Sequence, residues 1–285
     1  MSNVIISLEA TCDLSKDIIA EHNFRVVDMD FLIDGEVYST ANDTVTSTNL
    51  YPKMREGVKT STSQVNESIY EEHFTKLLEE GKDILHLAFS SGLSCTYQSA
   101  CAAAEKVNAT NKNKVYVVDT LCACSGHGLL AIYVDRYAKS AKSMEQLITY
   151  TNNIKMSLNH CFTVDNLKYL AQGGRIKNST AIIGNMLNVK PVMRANDEGK
   201  LENVQKVFSR KKALATLASD MKKKYDPQYD VCFIAHADCK ADALFTKELI
   251  KKETSANVTI QDLGPVIGCH SGPGTLAIFY MADKR

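Results

Sequence analysis

The sequence predicts an α/β protein, with an N-terminal parallel-sheet α/β/α domain and a C-terminal α+β domain whose sheet is mixed or antiparallel. Three observations lead there. In the first half, short β-rich runs alternate with amphipathic ones, as in a parallel sheet covered by helices. Beyond about residue 155, strand-like runs follow one another with fewer helices, and Asn196-Asp197-Glu198-Gly199 reads as a hairpin turn. A chain of 285 residues, at about 150 per domain, also suits two domains. The boundary is placed near residue 157, giving domains over 1–157 and 158–285 with a ligand site between them.

The elements follow in order. A first strand is expected over 4–8, and a helix over 15–22 with Ser15 as its cap. A second strand over 25–33 turns at Asp34-Gly35 into a hairpin with Val37-Tyr38. Helices over 66–80, 94–107 and about 121–139 alternate with strands over 84–89 and 115–118, each helix opening at or near Ser, Asn or Thr. After a helix over 144–155, strands are expected over 160–164, 190–195, 201–208, 231–236, 258–261 and 276–281. Met221-Lys222-Lys223-Lys224 reads as the exposed end of a helix, where cations suit the macrodipole.

Composition excludes several classes. With 45% hydrophobic and 23% charged residues the chain is globular, not disordered or collagen-like. Thirty-three basic residues balance thirty-three acidic ones, so no global field favours nucleic acid or an anionic membrane, and any anion site must be local. The nine cysteines contain no Cys-x-x-Cys pair, which suits reduced thiols in a cytoplasmic protein better than a disulfide framework. The start lacks the basic region of a signal peptide. The one membrane-length uncharged stretch, 84–104, carries too many hydroxyl and amide groups for hydrocarbon and reads as strand, turn and helix. Cys122 and Cys124 near His127 put their thiols on different helix faces. No metal or cofactor is expected, and no Walker, Gly-x-Gly-x-x-Gly or His-Glu-x-x-His motif is present.

Four segments carry candidate chemistry. Thr60-Ser61-Thr62-Ser63-Gln64 precedes a helix start and reads either as an N-cap in a solvated loop or as an anion site. Phe89 to Ala100 sits where an apolar strand gives way to a helix, the crevice position of open α/β sheets. There Gly92 permits close backbone approach, and Ser91 and Ser94 offer hydroxyls beside fresh helix N–H groups. Gly92-Leu93-Ser94-Cys95-Thr96 misses the last glycine of a nucleophile elbow, which argues against an esterase. Gly264 to Thr275 reads as a glycine-rich loop in which His270, beside Ser271, is either a structural hydrogen bonder or a donor to a carboxylate, the latter most strongly if protonated. Asp165 to Lys177 reads as a short helix stopped at Gly173-Gly174. Arg175 beyond it is either solvated or part of a basic patch with Lys206, Arg210, Lys211 and Lys212.

Together these segments resemble the DegV family of bacterial fatty-acid-binding proteins over nearly the full chain. Glu9 to Leu14 is similar to the family's Asp-Ser-Thr-Cys-Asp-Leu, Thr62-Ser63-Gln64 to its Thr-Ser-Gln-Pro, and Ser90 to Tyr97 to its Ser-Ser-Gly-Leu-Ser-Gly-Thr-Tyr. Asp119-Thr120 with Ser125-Gly126, Leu167 to Ile176, Lys190-Pro191-Val192 and the His270 to Tyr280 ending complete the likeness. The resemblance implies a long-chain fatty acid buried between two domains. Thr62, Ser94 and His270 would hold its carboxylate, and Ser63, Ser91 and Gly92 would form the supporting loop. It further implies a carrier without catalysis of its own, presenting the acid to a separate fatty acid kinase subunit, with Arg175, Lys206 and Arg210 as partner or phosphate contacts. The alternatives are a serine esterase using Ser94 with His270, or a small-molecule phosphotransferase. The chain departs from the pattern at Glu9-Ala10, at Val65 in place of a proline, at Cys95 in place of a glycine and at Phe208 in place of a common arginine.

Overall fold

The structure, a computed structural model, describes residues 4–42, 45, 47–177 and 188–285. The chain opens with β1 (Val4–Glu9), a 3-10 turn at Ala10–Cys12, α1 (Lys16–Glu21) and β2 (Arg25–Val27). Next come β3 (Asp30–Ile33), β4 (Glu36–Ser39), α2 (Ser47–Arg55) and β5 (Thr60–Thr62). They lead to α3 (Glu67–Leu78), β6 (Asp83–Ala88), α4 (Thr96–Thr110), β7 (Val115–Asp119), α5 (Cys124–Ala138) and α6 (Met144–Ile154). The second half holds β8 (Leu158–Thr163), α7 (Lys168–Gln172), β9 (Val189–Ala195), β10 (Leu201–Phe208) and α8 (Arg210–Lys224). It closes with β11 (Val231–His236), α9 (Lys240–Glu253), β12 (Asn257–Asp262), α10 (Pro265–Ser271) and β13 (Leu276–Met281).

The predicted fold class holds. A four-stranded sheet in the order β2-β1-β6-β7 is parallel throughout. A six-stranded sheet in the order β10-β9-β8-β13-β11-β12 is mixed, with only β11 and β12 parallel. The caps work as the sequence suggests: Ser15 Oγ accepts from the Ile18 N–H, and Asn66 Oδ1 accepts from the Ile69 N–H.

The sequence misjudges three stretches. The run 25–33 is not one strand: β2 joins the parallel sheet, while β3 leaves it to pair with β4 and β5 in a separate three-stranded antiparallel sheet. The break follows Asp28, where Thr40 Oγ1 donates to the Asp28 carboxylate and accepts from the Met29 N–H. Thr60 to Thr62 is the strand β5, not a loop, because Phe31 and Leu32 supply its pairing partners from elsewhere in the chain. Most of the expected glycine-rich loop is the helix α10, begun by Pro265 at its first turn and stopped at Gly272. In the second half α8 and α9 are long helices that cover one face of the six-stranded sheet, more helix than the sequence reading allotted.

The helix α5 is buried without a break from Cys124 to Val134, as befits its apolar run from Leu129 to Val134, and surfaces only at the charged last turn. It packs on β1 from one sheet and on β8, β11 and β13 from the other, so a single hydrophobic cluster joins the two. The outer face of the four-stranded sheet is covered by α3 and α4. Among the described residues no helix is long and apolar enough to cross a membrane.

Candidate functional site

A cavity of about 610 Å³ opens between the ends of the parallel strands and the inner face of the six-stranded sheet. It lies where β1 leads away to β2 on one side and β6 to β7 on the other, the switch point at which such sheets place ligands. Thr11 follows β1, and Phe89, Ser91, Leu93 and Ser94 follow β6. Alternation along the strands turns His160 and Phe162 of β8, and Ala277 and Phe279 of β13, to the same wall. The start of α5 and the buried side of α10 close the rest, mainly with apolar groups.

One end of the cavity is polar. Thr62 at the end of β5 meets His270 at the end of α10, with Oγ1 and Nε2 2.7 Å apart. Ser94 Oγ lies 2.6 Å from Thr96 Oγ1 and accepts from the Thr96 N–H at 3.2 Å. The Arg175 guanidinium stands in the same wall, donating from Nε to the Leu93 carbonyl at 3.2 Å and approaching His270 Nδ1 at 3.5 Å with Nη1. Arginine only donates, so Nδ1 is the acceptor and the His270 proton sits on Nε2, directed at Thr62. The Thr62 hydroxyl hydrogen is then free to face a ligand oxygen.

Burial, and secondly the Arg175 cation, push His270 down to about 4, so the ring is neutral near pH 7. The expectation that it works best as a cation is therefore corrected. Arg175 is half-buried in the cavity wall and makes no ion pair with a carboxylate among the described residues. Lys206, exposed on β10, and Arg210, paired with Asp242 at 2.8 Å, do not line the cavity. Ser63 lines the cavity beside Thr62.

Gly92 serves another backbone than a ligand's. A Cβ there would sit 2.5 Å from the Glu198 carbonyl oxygen, because the tip of the β9–β10 hairpin packs onto the loop after β6. Ser90 Oγ donates to the Gly199 carbonyl at 2.9 Å to hold the tip in place.

The Ser94–His270 dyad of the esterase alternative is not formed: Ser94 pairs with Thr96 and His270 with Thr62. A serine, histidine and carboxylate do line up elsewhere: Ser7 Oγ is 3.0 Å from His86 Nδ1, and His86 Nε2 is 3.2 Å from Glu9 Oε1. All three are fully buried in the parallel sheet and away from the cavity. Burial alone would raise the Glu9 carboxyl, but His86, His127 and Tyr70 outweigh it and hold it down at about 2. Its Oε2 accepts from the Phe89 N–H at 3.0 Å, which fixes the start of the cavity loop.

Sequence reasoning missed Thr11 and His160 and left the place of Arg175 open. The signal for His160 was a polar residue two positions from Phe162 in an otherwise apolar run. For Arg175 it was the Gly173-Gly174 stop, which turns the chain back toward the cavity.

Comparison with known proteins bears on this arrangement. A relative from Clostridium perfringens, a DegV domain-containing protein, is 37% identical, with 100% of this chain and 99% of that protein covered. One from Lactococcus lactis, also a DegV domain-containing protein, is 34% identical, with 98% of each covered. Among solved structures, a fatty-acid-binding DegV family protein from Thermus thermophilus matches with a TM-score of 0.87 at 26% identity, covering 98% of this chain and 99% of that one. One from Streptococcus agalactiae, also described as a fatty acid binding DegV family protein, matches with a TM-score of 0.87 at 26% identity, with 99% of each covered. The family model described as "Uncharacterised protein, DegV family" matches residues 3–283, so the chain belongs to the DegV family.

Proposed function

We propose that the cavity holds a long-chain fatty acid, its carboxylate at Thr62, Ser94 and His270 and its tail along the wall formed by β8 and β13. The observation that carries this reading is the division of one 610 Å³ space into a polar end and a largely apolar remainder. That suits an amphiphile with one anionic head. Ten to fifteen buried methylenes at about 0.8 kcal/mol each supply on the order of 10 kcal/mol gross, so the tail sets affinity and the head sets orientation. The Arg175 guanidinium adds a positive charge at the head end. The ligand lies between two domains, 1–157 and 158–285, each contributing wall residues. The fatty acid binding of the Thermus thermophilus and Streptococcus agalactiae proteins, at 26% identity over nearly the whole chain, supports the same reading.

In this reading the protein is a cytoplasmic carrier with no catalysis of its own. A separate kinase would take the presented carboxylate to the acyl phosphate, and Arg175, at the head end, and exposed Lys206 are the contacts to test there. Among the described residues Ser94 pairs with Thr96 and Ser90 with the Gly199 carbonyl, neither with a histidine, so the esterase alternative gains no support. Native mass spectrometry of the intact protein, before and after incubation with oleate or palmitate, is the direct test. A bound mass of one fatty acid per chain is expected. Its consistent absence would sink the proposal.

A further inference from the structure

A buried polar network lies beneath the loop that carries Ser94, outside the cavity itself. Period-two alternation puts Ser7 and Glu9 on one face of β1, and strand pairing sets His86 of β6 opposite Ser7. Tyr70 and His73, three apart on α3, reach that face together. Ser7, Glu9, Tyr70 and His86 are fully buried. Glu9 Oε1 accepts from the Tyr70 hydroxyl at 2.6 Å and from His86 Nε2 at 3.2 Å, and Oε2 accepts from the Phe89 N–H at 3.0 Å. A carboxylate only accepts, so His86 carries a proton on Nε2. On its other side His86 Nδ1 meets Ser7 Oγ at 3.0 Å, and Ser7 Oγ meets His73 Nε2 at 2.9 Å. These groups fix where the Glu9 carboxylate stands.

The carboxylate in turn fixes the turn that presents Ser94. Successive amides there are taken by groups that do not line the cavity: Phe89 by Glu9, Ser90 by the Cys122 carbonyl at 3.0 Å, and Ser91 by the Asp119 carboxylate at 3.2 Å. The Ser90 carbonyl then accepts from the Leu93 and Ser94 N–H groups at 3.0 and 3.2 Å, which sets the place of Ser94. With the strand-end amides occupied, this stretch offers a head group its hydroxyls rather than its N–H groups.

Resting on the fatty acid reading above, we propose that Glu9 is a positioning residue for the head group: through the Phe89 N–H it sets the turn that aims Ser94, and so the preference for a free carboxylate over an uncharged head. A carboxylate gains from a hydroxyl donor only at hydrogen-bond distance and angle, whereas burial of the tail has no direction and tolerates a small shift. Glu9 stands where the family pattern has aspartate. The longer side chain reaches the Phe89 N–H and the His86–Tyr70 pair at once.

The test compares the affinities of palmitate and hexadecan-1-ol for the full chain after removal of co-purified lipid. The wild-type protein is expected to bind the acid about tenfold tighter than the alcohol. Glu9→Met, similar in length but without an acceptor, should bring that ratio close to one while alcohol binding stays within about twofold of wild type. Glu9→Gln should keep the ratio, because its amide oxygen still accepts from Phe89 while Tyr70 and His86 turn to accept from its NH2 group. Equal weakening of both ligands in Glu9→Met would show a merely structural role and overturn the proposal. An unchanged ratio there, or no preference for the acid in the wild type, overturns it too. A ratio that falls as far in Glu9→Gln overturns the assignment to the Phe89 bond. Failure of both ligands to bind the wild type would instead defeat the fatty acid reading, and this inference with it. Should Glu9→Met not fold, Glu9→Asp decides: it keeps the charge without the reach, so the ratio should fall, and an unchanged ratio overturns the proposal.

Discussion

At the polar end of the cavity, Ser94 and His270 do different jobs. Ser94 Oγ accepts from the Thr96 N–H and shares a hydrogen with the Thr96 hydroxyl, which leaves one hydroxyl hydrogen of the pair for a ligand. Ser94→Ala should therefore cost about 0.5–3 kcal/mol of fatty acid affinity. A dissociation constant unchanged in the variant would remove Ser94 from the site. His270 acts as a neutral ring, and its Nε2–H orients Thr62. Its folded pKa of about 4 lies below the ordinary histidine value near 6.5, so the ring does not change charge between about pH 5.5 and 8. Fatty acid affinity should show no histidine inflection in that range. An inflection near 6.5 that disappears in His270→Gln would contradict this.

Elements meet at the cavity through loops that grip one another. The loop after β6 is held from below by Glu9, which accepts from the Phe89 N–H, and from the side by the hairpin tip that packs on Gly92. Arg285 Nη1 ties the same tip to the chain before α5, donating to the carbonyls of Asn196 and Leu121. Gly92→Val places side-chain atoms where the Glu198 and Gly199 backbone lies, so loop or hairpin must shift. A loss of about 1–3 kcal/mol in stability is expected, together with weaker ligand binding, because the same loop carries Ser94. Chemical denaturation and ligand titration check both parts, and full wild-type behaviour would show that the hairpin does not brace the site. The caps at Ser15 and Asn66 and the hairpin at Asn196 to Gly199 were legible in the sequence because their cause is local. The division of 25–33 between two sheets was not, because it depends on Thr40 and on strand partners far along the chain.

The molecule as a whole resists protonation on folding. His73 and His270 fall to about 4, burial being the largest cause for each, and His127, His160 and His236 are also lowered. Asp13 moves the other way, raised by burial to about 7. Between about pH 4 and 6.5 the unfolded chain binds protons on His73 and His270 that the native one refuses, and the lowered His127, His160 and His236 act in the same direction, while the native chain binds one extra proton at Asp13. The histidines prevail, so stability is greatest above about pH 6.5 and falls as pH is lowered toward 4. Below that, Glu9 continues the loss as pH falls through about 2. Urea midpoints at pH 7, 6 and 5 should decline in that order, and a midpoint that rises on acidification would contradict the assignment.

The fold class and most elements were determined by the sequence itself, since periodicity, caps and turn residues act within a few positions. The residues at the polar end were legible too, because Thr62, Ser94 and His270 stand in segments rich in hydroxyls or glycine, and the family pattern orders them. Only the tertiary structure decided that Arg175 joins them while Lys206 and Arg210 do not, and that Gly92 fits a hairpin tip. It alone decided that His160 faces a cavity rather than a filled core. Apolar residues that line a space and those that fill one look alike along a chain, and the difference arises when two sheets and α5 come together around it.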